Sequence, residues 1–226
     1  MFSIFTPQKP PRTKEEYVYE TLRMAITRCE LEPGRKLVVQ TLRTKLGVSS
    51  IPIRSALQRL HAEGFVEITP HMGAIVSDIS PDIITEIFML LDSLENIAVT
   101  VAVDKISADE LVSLRQILDD MEQALATEDA DQWFDLNNHL HLTIAQITDM
   151  KMLQRFTHRA LGSRDRLRHF YLPSFIAPRM SEAQMEHQQM VDLLEKRDVE
   201  TLKVLVSQHN NKAKIAYQKL IEEQDR

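Results

Sequence analysis

The 226-residue chain is 43% hydrophobic and 27% charged, with one cysteine and only five glycines. This composition excludes a disordered chain, and the single cysteine excludes an internal disulfide framework and a cysteine-based zinc finger. No apolar run approaches the roughly 18–20 residues needed to cross a bilayer. The first eleven residues hold no apolar stretch of secretory type, so the expected address is cytoplasmic, with no membrane partner.

The net charge of −6 is unevenly spread. Residues 1–79 carry 11 Lys+Arg against 8 Asp+Glu, and residues 80–226 carry 16 against 25. A mildly basic head on an acidic body permits phosphate contact at one end only.

Residues 1–13 read as a flexible lead-in. Thr13 with Glu16 forms a capping box for a helix to about Glu30, whose apolar stripe Val18, Leu22, Ala25 and Cys29 makes Cys29 a small core residue. Pro33-Gly34 breaks that helix. A short helix over 38–46 ends at Gly47, and Ser49 or Ser50 caps the next, with Pro52 in its first turn. Ile53, Ala56, Leu57 and Leu60 give this helix one buried face, and Gly64 ends it. Strands at 65–69 and 74–76 flank a turn at 70–73. Three helices and a hairpin predict a winged helix-turn-helix over residues 14–79.

Beyond Ser80 the strand pattern vanishes. Helix starts near 81 and 108, and helical patterns over 130–148, 150–170, 181–195 and 198–223, predict an antiparallel bundle of about six helices in residues 80–226. Residues 171–180, with Pro173 and Pro178, read as an extended connection. The predicted fold class is therefore mainly α: a winged helix-turn-helix followed by an all-α bundle.

The second helix of a helix-turn-helix enters the major groove. Opposite its apolar stripe lie Ser50, Arg54, Ser55, Gln58 and His61. Arg54 suits bidentate bonding to guanine, and Ser49 and Ser50 suit phosphate near the helix N-terminus. A merely solvated helix face would show the same residues. In the bundle, Asp135 and His139 are four apart on one helix and so share a face; with His187 and His209 they form a plausible set for zinc, with nickel or manganese as alternatives. Isolated histidines on bundle helices more often serve as hydrogen-bonded core or rim residues.

The run LGVSSIPIRSALQRLHAEGFVEITPHMGAIV, with upstream LEPGRKL, resembles the N-terminal domain of the GntR family of transcriptional regulators. The family pattern is close to L-G-V-S-x-x-P-[VI]-R-x-A-L-x-x-L-x-x-x-G-[LF]-[VI]. Leu46, Gly47, Val48, Ser49, Pro52, Arg54, Ala56, Leu57, Leu60 and Gly64 match it, and Gly73 and Val76 match the wing. The resemblance implies a double-stranded DNA operator as partner, with contacts from Arg35, Ser49, Arg54 and the wing tip at His71 and Gly73. Ser50 stands where the family usually has Arg.

Residues 80–226 resemble the FCD effector-binding domain of the FadR-type branch, in its shorter VanR-like form. The marks are D-x-x-[FL]-H, here Asp135 to His139; E-H-x-x-[IM], here Glu186, His187 and Met190; and A-[ML]-x-x-H, here Leu205 to His209. The resemblance implies a metal held by Asp135, His139, His187 and His209, a homodimer, and a small-molecule effector. Asn138 departs from the usual Leu or aromatic before the first histidine. The Arg that often precedes Glu95 by four and holds an effector carboxylate is Leu91 here, which leaves Arg164, Arg166 or Arg168 as substitutes. The expected function is a ligand-responsive repressor rather than an enzyme. A metal-dependent hydrolase using the Asp/His cluster is the alternative, and a ligand-free architectural DNA binder is a third reading.

Overall fold

The computed structural model describes residues 13–69, 73–79, 82–171 and 177–224. The turn at 70–72, including His71, lies outside the described residues, as do most of the lead-in, residues 80–81 and residues 172–176. The chain divides into two compact units, Met1–Ser80 with Asp165–Phe170, and Pro81–Arg164 with Tyr171–Arg226.

In the first unit, α1 (Lys14–Thr27) starts at Thr13, whose side chain accepts from the Glu16 amide. Gly47, at φ 65°, ends α2 (Val39–Leu46) in the left-handed conformation that costs glycine nothing. Helix α3 (Ser50–Ala62) follows, with Ser49 in extended conformation before it. Strands β2 (Val66–Thr69) and β3 (Gly73–Val76) make the wing hairpin, with Val66 opposite Val76. A two-residue strand β1 (Lys36–Leu37) pairs with β3 to give the order β1-β3-β2. Sequence patterning missed β1, because two residues are too few to show alternation.

The core of this unit joins Leu22 and Ile26 of α1 to Ile53, Ala56, Leu57 and Leu60 of α3 and to Phe65, Val66 and Val76 of the wing. Cys29 departs from expectation. Helix α1 has already ended, and Cys29 sits at φ 55° with its side chain half-buried, outside that core.

Among the described residues the second unit contains six helices, the number expected from patterning. They are α4 (Ile83–Lys105), α5 (Ala108–Ala126), α6 (Ala130–Ile147), α7 (Lys151–Tyr171), α8 (Ala177–Lys196) and α9 (Val199–Gln224). The final turns of α7 group with the first unit. Ser107 and Glu110 form a reciprocal capping box at the start of α5, and Asp129 caps α6. Helix α8 begins at Ala177, within the stretch expected to be extended, and His187 sits at its middle. Helix α4 packs on α6, α8 and α9, and α9 packs on α8, so polar residues on the facing sides of these helices meet in one buried region. No described helix is long and apolar enough to cross a membrane.

Candidate nucleic-acid interface and candidate metal centre

Helix α3 turns its apolar stripe inward, with Ile53, Ala56 and Leu60 all fully buried. The opposite face is sorted by what its side chains already hold. Arg59 lies 3.4 Å above the Tyr19 ring and pairs with Glu16 and Glu63, Ser55 donates to Glu15 at 2.5 Å, and His61 Nδ1 lies 2.8 Å from the Val66 carbonyl. Arg54 and Gln58 are exposed and have no such tether among the described residues. Arg35, Ser49 and Gly73 are exposed, and Ser50 is half-buried. Gly73 opens β3 at φ 89°, a conformation that strains any side-chain-bearing residue, so the wing strand depends on glycine there.

The expected metal set is not the one that assembles. Helix α6 buries Trp133, Phe134, Asn137, Leu140, His141, Ile144 and Ala145. Asp135 and His139 do share a face, but it is the exposed one. His141 takes the place of His139: the ligand nitrogens of His141, His187 and His209 all lie within 4.8 Å of one another, and all three side chains are buried. The rings of His187 and His209 are 4.7 Å apart between centroids, and His141 lies 5.2 Å and 5.6 Å from them.

Carboxylates lie close to two of these rings. His209 Nδ1 is 2.6 Å from Glu186 Oε2, and His141 Nδ1 is 3.1 Å from Glu95 Oε1. Donation from His209 Nδ1 to Glu186 leaves the Nε2 lone pair of that ring for the cluster, the arrangement that fixes metal-binding histidines elsewhere, whereas Glu95 Oε1 lies near His141 without a formed hydrogen bond. His141 Nε2, both ring nitrogens of His187 and Asn137 Oδ1 are buried without a hydrogen-bond partner. Unsatisfied buried polar atoms are costly, and these four atoms, three nitrogens and one oxygen, are ligand types for a divalent ion. On this chemistry the site fits a metal.

Electrostatics agree with neutral imidazoles. Burial lowers the pKa of His141 and His187 well below the ordinary value, helped by Arg164, and lowers that of His209 against the pull of Glu186. Burial would raise Glu186, but hydrogen bonds from His209, Arg179 and Lys212 outweigh it and hold that group at about 2. Burial lifts Glu95 to about 7, opposed by Asn210, which donates to it at 2.7 Å.

Beside the cluster is a cavity of about 30 Å³, lined among others by Trp133, Asn137, Arg164, Arg179, His209 and Tyr217. Arg164 donates to Asn138 at 2.6 Å. Arg179 donates to Glu186 at 2.9 Å. Arg166, expected near an effector, groups instead with the first unit, where it donates to the Ser77 carbonyl; Arg168 groups there too. Leu91, at the usual Arg position, is fully buried. Sequence reasoning missed His141, Asn137 and Arg179. The stripe Trp133, Asn137, Leu140, His141, Ile144 would have found the first two, and it restores Leu directly before the histidine.

A winged helix-turn-helix with an unencumbered outer face on its second helix, followed by a helical unit around a buried ligand-type cluster, defines a DNA-binding transcriptional regulator. The chain belongs to the GntR family of bacterial regulatory proteins, whose model matches residues 14–76, and it carries an FCD domain, matched over residues 86–212. It is similar to the HTH-type transcriptional repressor RspR of Escherichia coli K12, 24% identical over 92% of this chain and 90% of that protein. It is also similar to the E. coli K12 regulator McbR, 29% identical over 54% of this chain and 56% of that protein. Among solved structures, E. coli McbR/YncC superposes with a TM-score of 0.80 at 21% identity, covering 95% of this chain and 99% of that one. A GntR regulator from Rhodococcus sp. RHA1 superposes at 0.72 and 20% identity, covering 90% and 97%.

Proposed function

We propose that the chain is a homodimeric, cytoplasmic repressor whose operator binding responds to a small organic acid held at a metal in the second unit. The observation that carries this reading is the buried trio His141, His187 and His209, with four ligand-type atoms left unpartnered. Asn137 Oδ1 and one nitrogen from each histidine would hold the ion. Two ligands about 2.1 Å from one metal lie no more than about 4.2 Å apart, so the cluster needs only a small contraction from its 4.8 Å limit.

The donor set is uncharged. A divalent ion there, zinc first, would supply Lewis acidity and keep its full double charge for an anionic ligand. Arg164 and Arg179, both lining the cavity, add charge of the same sign. This supports a carboxylate effector despite Leu91. Glu95 stands beside His141 in this reading rather than meeting the effector itself. The hydrolase alternative has no counterpart among the relatives named above, which are all regulators.

Operator contacts are assigned to Arg35, Ser49, Ser50, Arg54, Gln58 and Gly73, with His71 at the wing tip beyond the described residues. Dimerisation is supported by α4, where Ile83, Leu90 and Ile97 are 37%, 45% and 46% exposed at seven-residue spacing. Ser93 lies between Leu90 and Ile97 and Thr100 follows Ile97, and their hydroxyls bond back to the Met89 and Asn96 carbonyls. Such a seam suits helix-to-helix packing between two copies.

The test uses metal-stripped full-length protein, sedimenting as a dimer. Zinc at about 100 times its Kd should add about 2.7 kcal/mol of stability, and small di- and tricarboxylates should then change operator affinity in gel shifts. His187→Leu should abolish the metal-induced rise in Tm while leaving the stripped protein equally or more stable, because it removes unpartnered buried nitrogens. An unchanged metal response in that variant, or no response to zinc, nickel or manganese in the parent, would overturn the metal assignment.

A further inference from the structure

Ile51 is the most exposed large hydrophobic residue among those described, at 78%. It stands in the first turn of α3, one residue after Ser50 and directly before Pro52. A single apolar residue on a surface is ordinary by itself. Its position gives it meaning. In a helix-turn-helix the N-terminal residues of the second helix are the ones that reach base edges.

Ile51, Arg54 and Gln58 follow i, i+3, i+7 spacing and so form one outward strip. Ser55, Arg59 and His61 are tied within the unit, to Glu15, to Tyr19 with Glu16 and Glu63, and to the Val66 carbonyl. The strip of unencumbered side chains on this face therefore begins with an isoleucine. Where the family usually places Arg, its neighbour is the short Ser50, so no long cation precedes Ile51. The major groove offers one apolar feature, the C5-methyl of thymine.

We infer that Ile51 is a specificity-determining residue that packs against a thymine C5-methyl in each operator half-site. Residues three apart on a helix face have Cβ atoms about 5–6 Å apart. The thymine therefore lies one or two base-pair steps from the guanine read by Arg54. The inference rests on the reading of α3 as the groove-entering helix.

The experiment selects operators from a random double-stranded DNA library with the full-length protein. Each thymine of the winning sequence is then replaced in turn by deoxyuridine, which keeps pairing and loses only the methyl. One position per half-site should weaken binding about three- to fivefold, the worth of one buried methyl. Ile51→Ala should bind thymine and deoxyuridine equally at that position, with an unchanged Tm because the side chain is exposed. Full sensitivity persisting in Ile51→Ala, or no sensitive thymine in the parent, overturns the inference. Arg54→Ala separates the two levels. If it binds like the parent, or if selection returns no preferred sequence, the reading of α3 fails and the inference with it. If Arg54→Ala loses binding and deoxyuridine has no effect, the inference alone fails.

Discussion

In the first unit the core is apolar, and the polar groups free for a partner stand outside it; in the second, the polar groups of interest are enclosed. Arg54 and Gln58 need no compensation, because water satisfies them until DNA replaces it. His141, His187 and His209 are buried, and each of their nitrogens must be paired, protonated at a cost, or liganded. A surface reader can thus change residues with little effect on folding, whereas an enclosed sensor couples its ligand to its stability. The two units should respond oppositely to mutation: large losses of binding without loss of fold in the first, and coupled changes of both in the second.

The largest expected effect tests the first half of that contrast. Each bidentate arginine–guanine contact is worth about 1–3 kcal/mol, and a dimer makes it twice. Arg54→Ala should therefore weaken operator binding by about 30-fold to 10⁴-fold, with Tm unchanged. Gel-shift titration and thermal melting on the same preparation check it. A fall in Tm alongside the loss would break the contrast, because it would make Arg54 part of the fold.

How far each region could be read from sequence follows the same division. The DNA reader is contiguous: Leu46 to Gly64 contain the turn, the buried stripe and the outward strip, so local periodicity identifies α3 and its free face together. The metal centre gathers residues from α6, α8 and α9, with Glu95 of α4 behind them, and only packing decides which face of each helix turns inward. His187 and His209 were legible because each is the one histidine on its helix. On α6 two histidines stand two residues apart, on faces about 160° away from each other by helix geometry. Spacing to Asp135 favoured His139; burial of Trp133, Asn137 and Leu140 selects His141. Arg179 was hidden because its neighbours read as a loop after Pro173 and Pro178. The strand β1 was too short to carry any pattern.

The middle prediction concerns the support around the enclosed site. Glu186 accepts from His209 at 2.6 Å and is itself held by Arg179 at 2.9 Å and Lys212 at 3.0 Å. Partners of this kind typically change metal affinity 10- to 100-fold when mutated. Glu186→Gln should weaken zinc binding by about that factor, read by competition with a chelating dye. It should leave the operator affinity of the metal-free protein unaltered. An unchanged zinc affinity would mean that the carboxylate anchors Arg179 rather than tuning the ligand.

The smallest effect is a slope with pH, and it tests whether the buried groups titrate as their surroundings dictate. Burial lowers His141 and His187 in the folded state, so below the ordinary histidine value near 6.5 the unfolded chain binds more protons. Their stabilising contribution is complete above pH 6.5 and is lost as pH falls. Glu95 works the other way: lifted from 4.5 to about 7, it binds more protons when folded, so its contribution declines as pH rises through that interval. Between pH 5 and 6.5 the slopes oppose, and each fully shifted group contributes about 1.4 kcal/mol per pH unit at most. With His209 also lowered, three histidines against one glutamate leave a net rise in the stability of metal-free protein with pH. Glu95→Gln removes the opposing group while keeping its shape and a hydrogen-bonding oxygen for Asn210. The variant should therefore gain stability more steeply than the parent from pH 5 to 6.5, as measured by urea denaturation at closely spaced pH. A slope no steeper than the parent's would mean that Glu95 takes up no proton on folding in this interval, and would remove it as the group opposing the histidines.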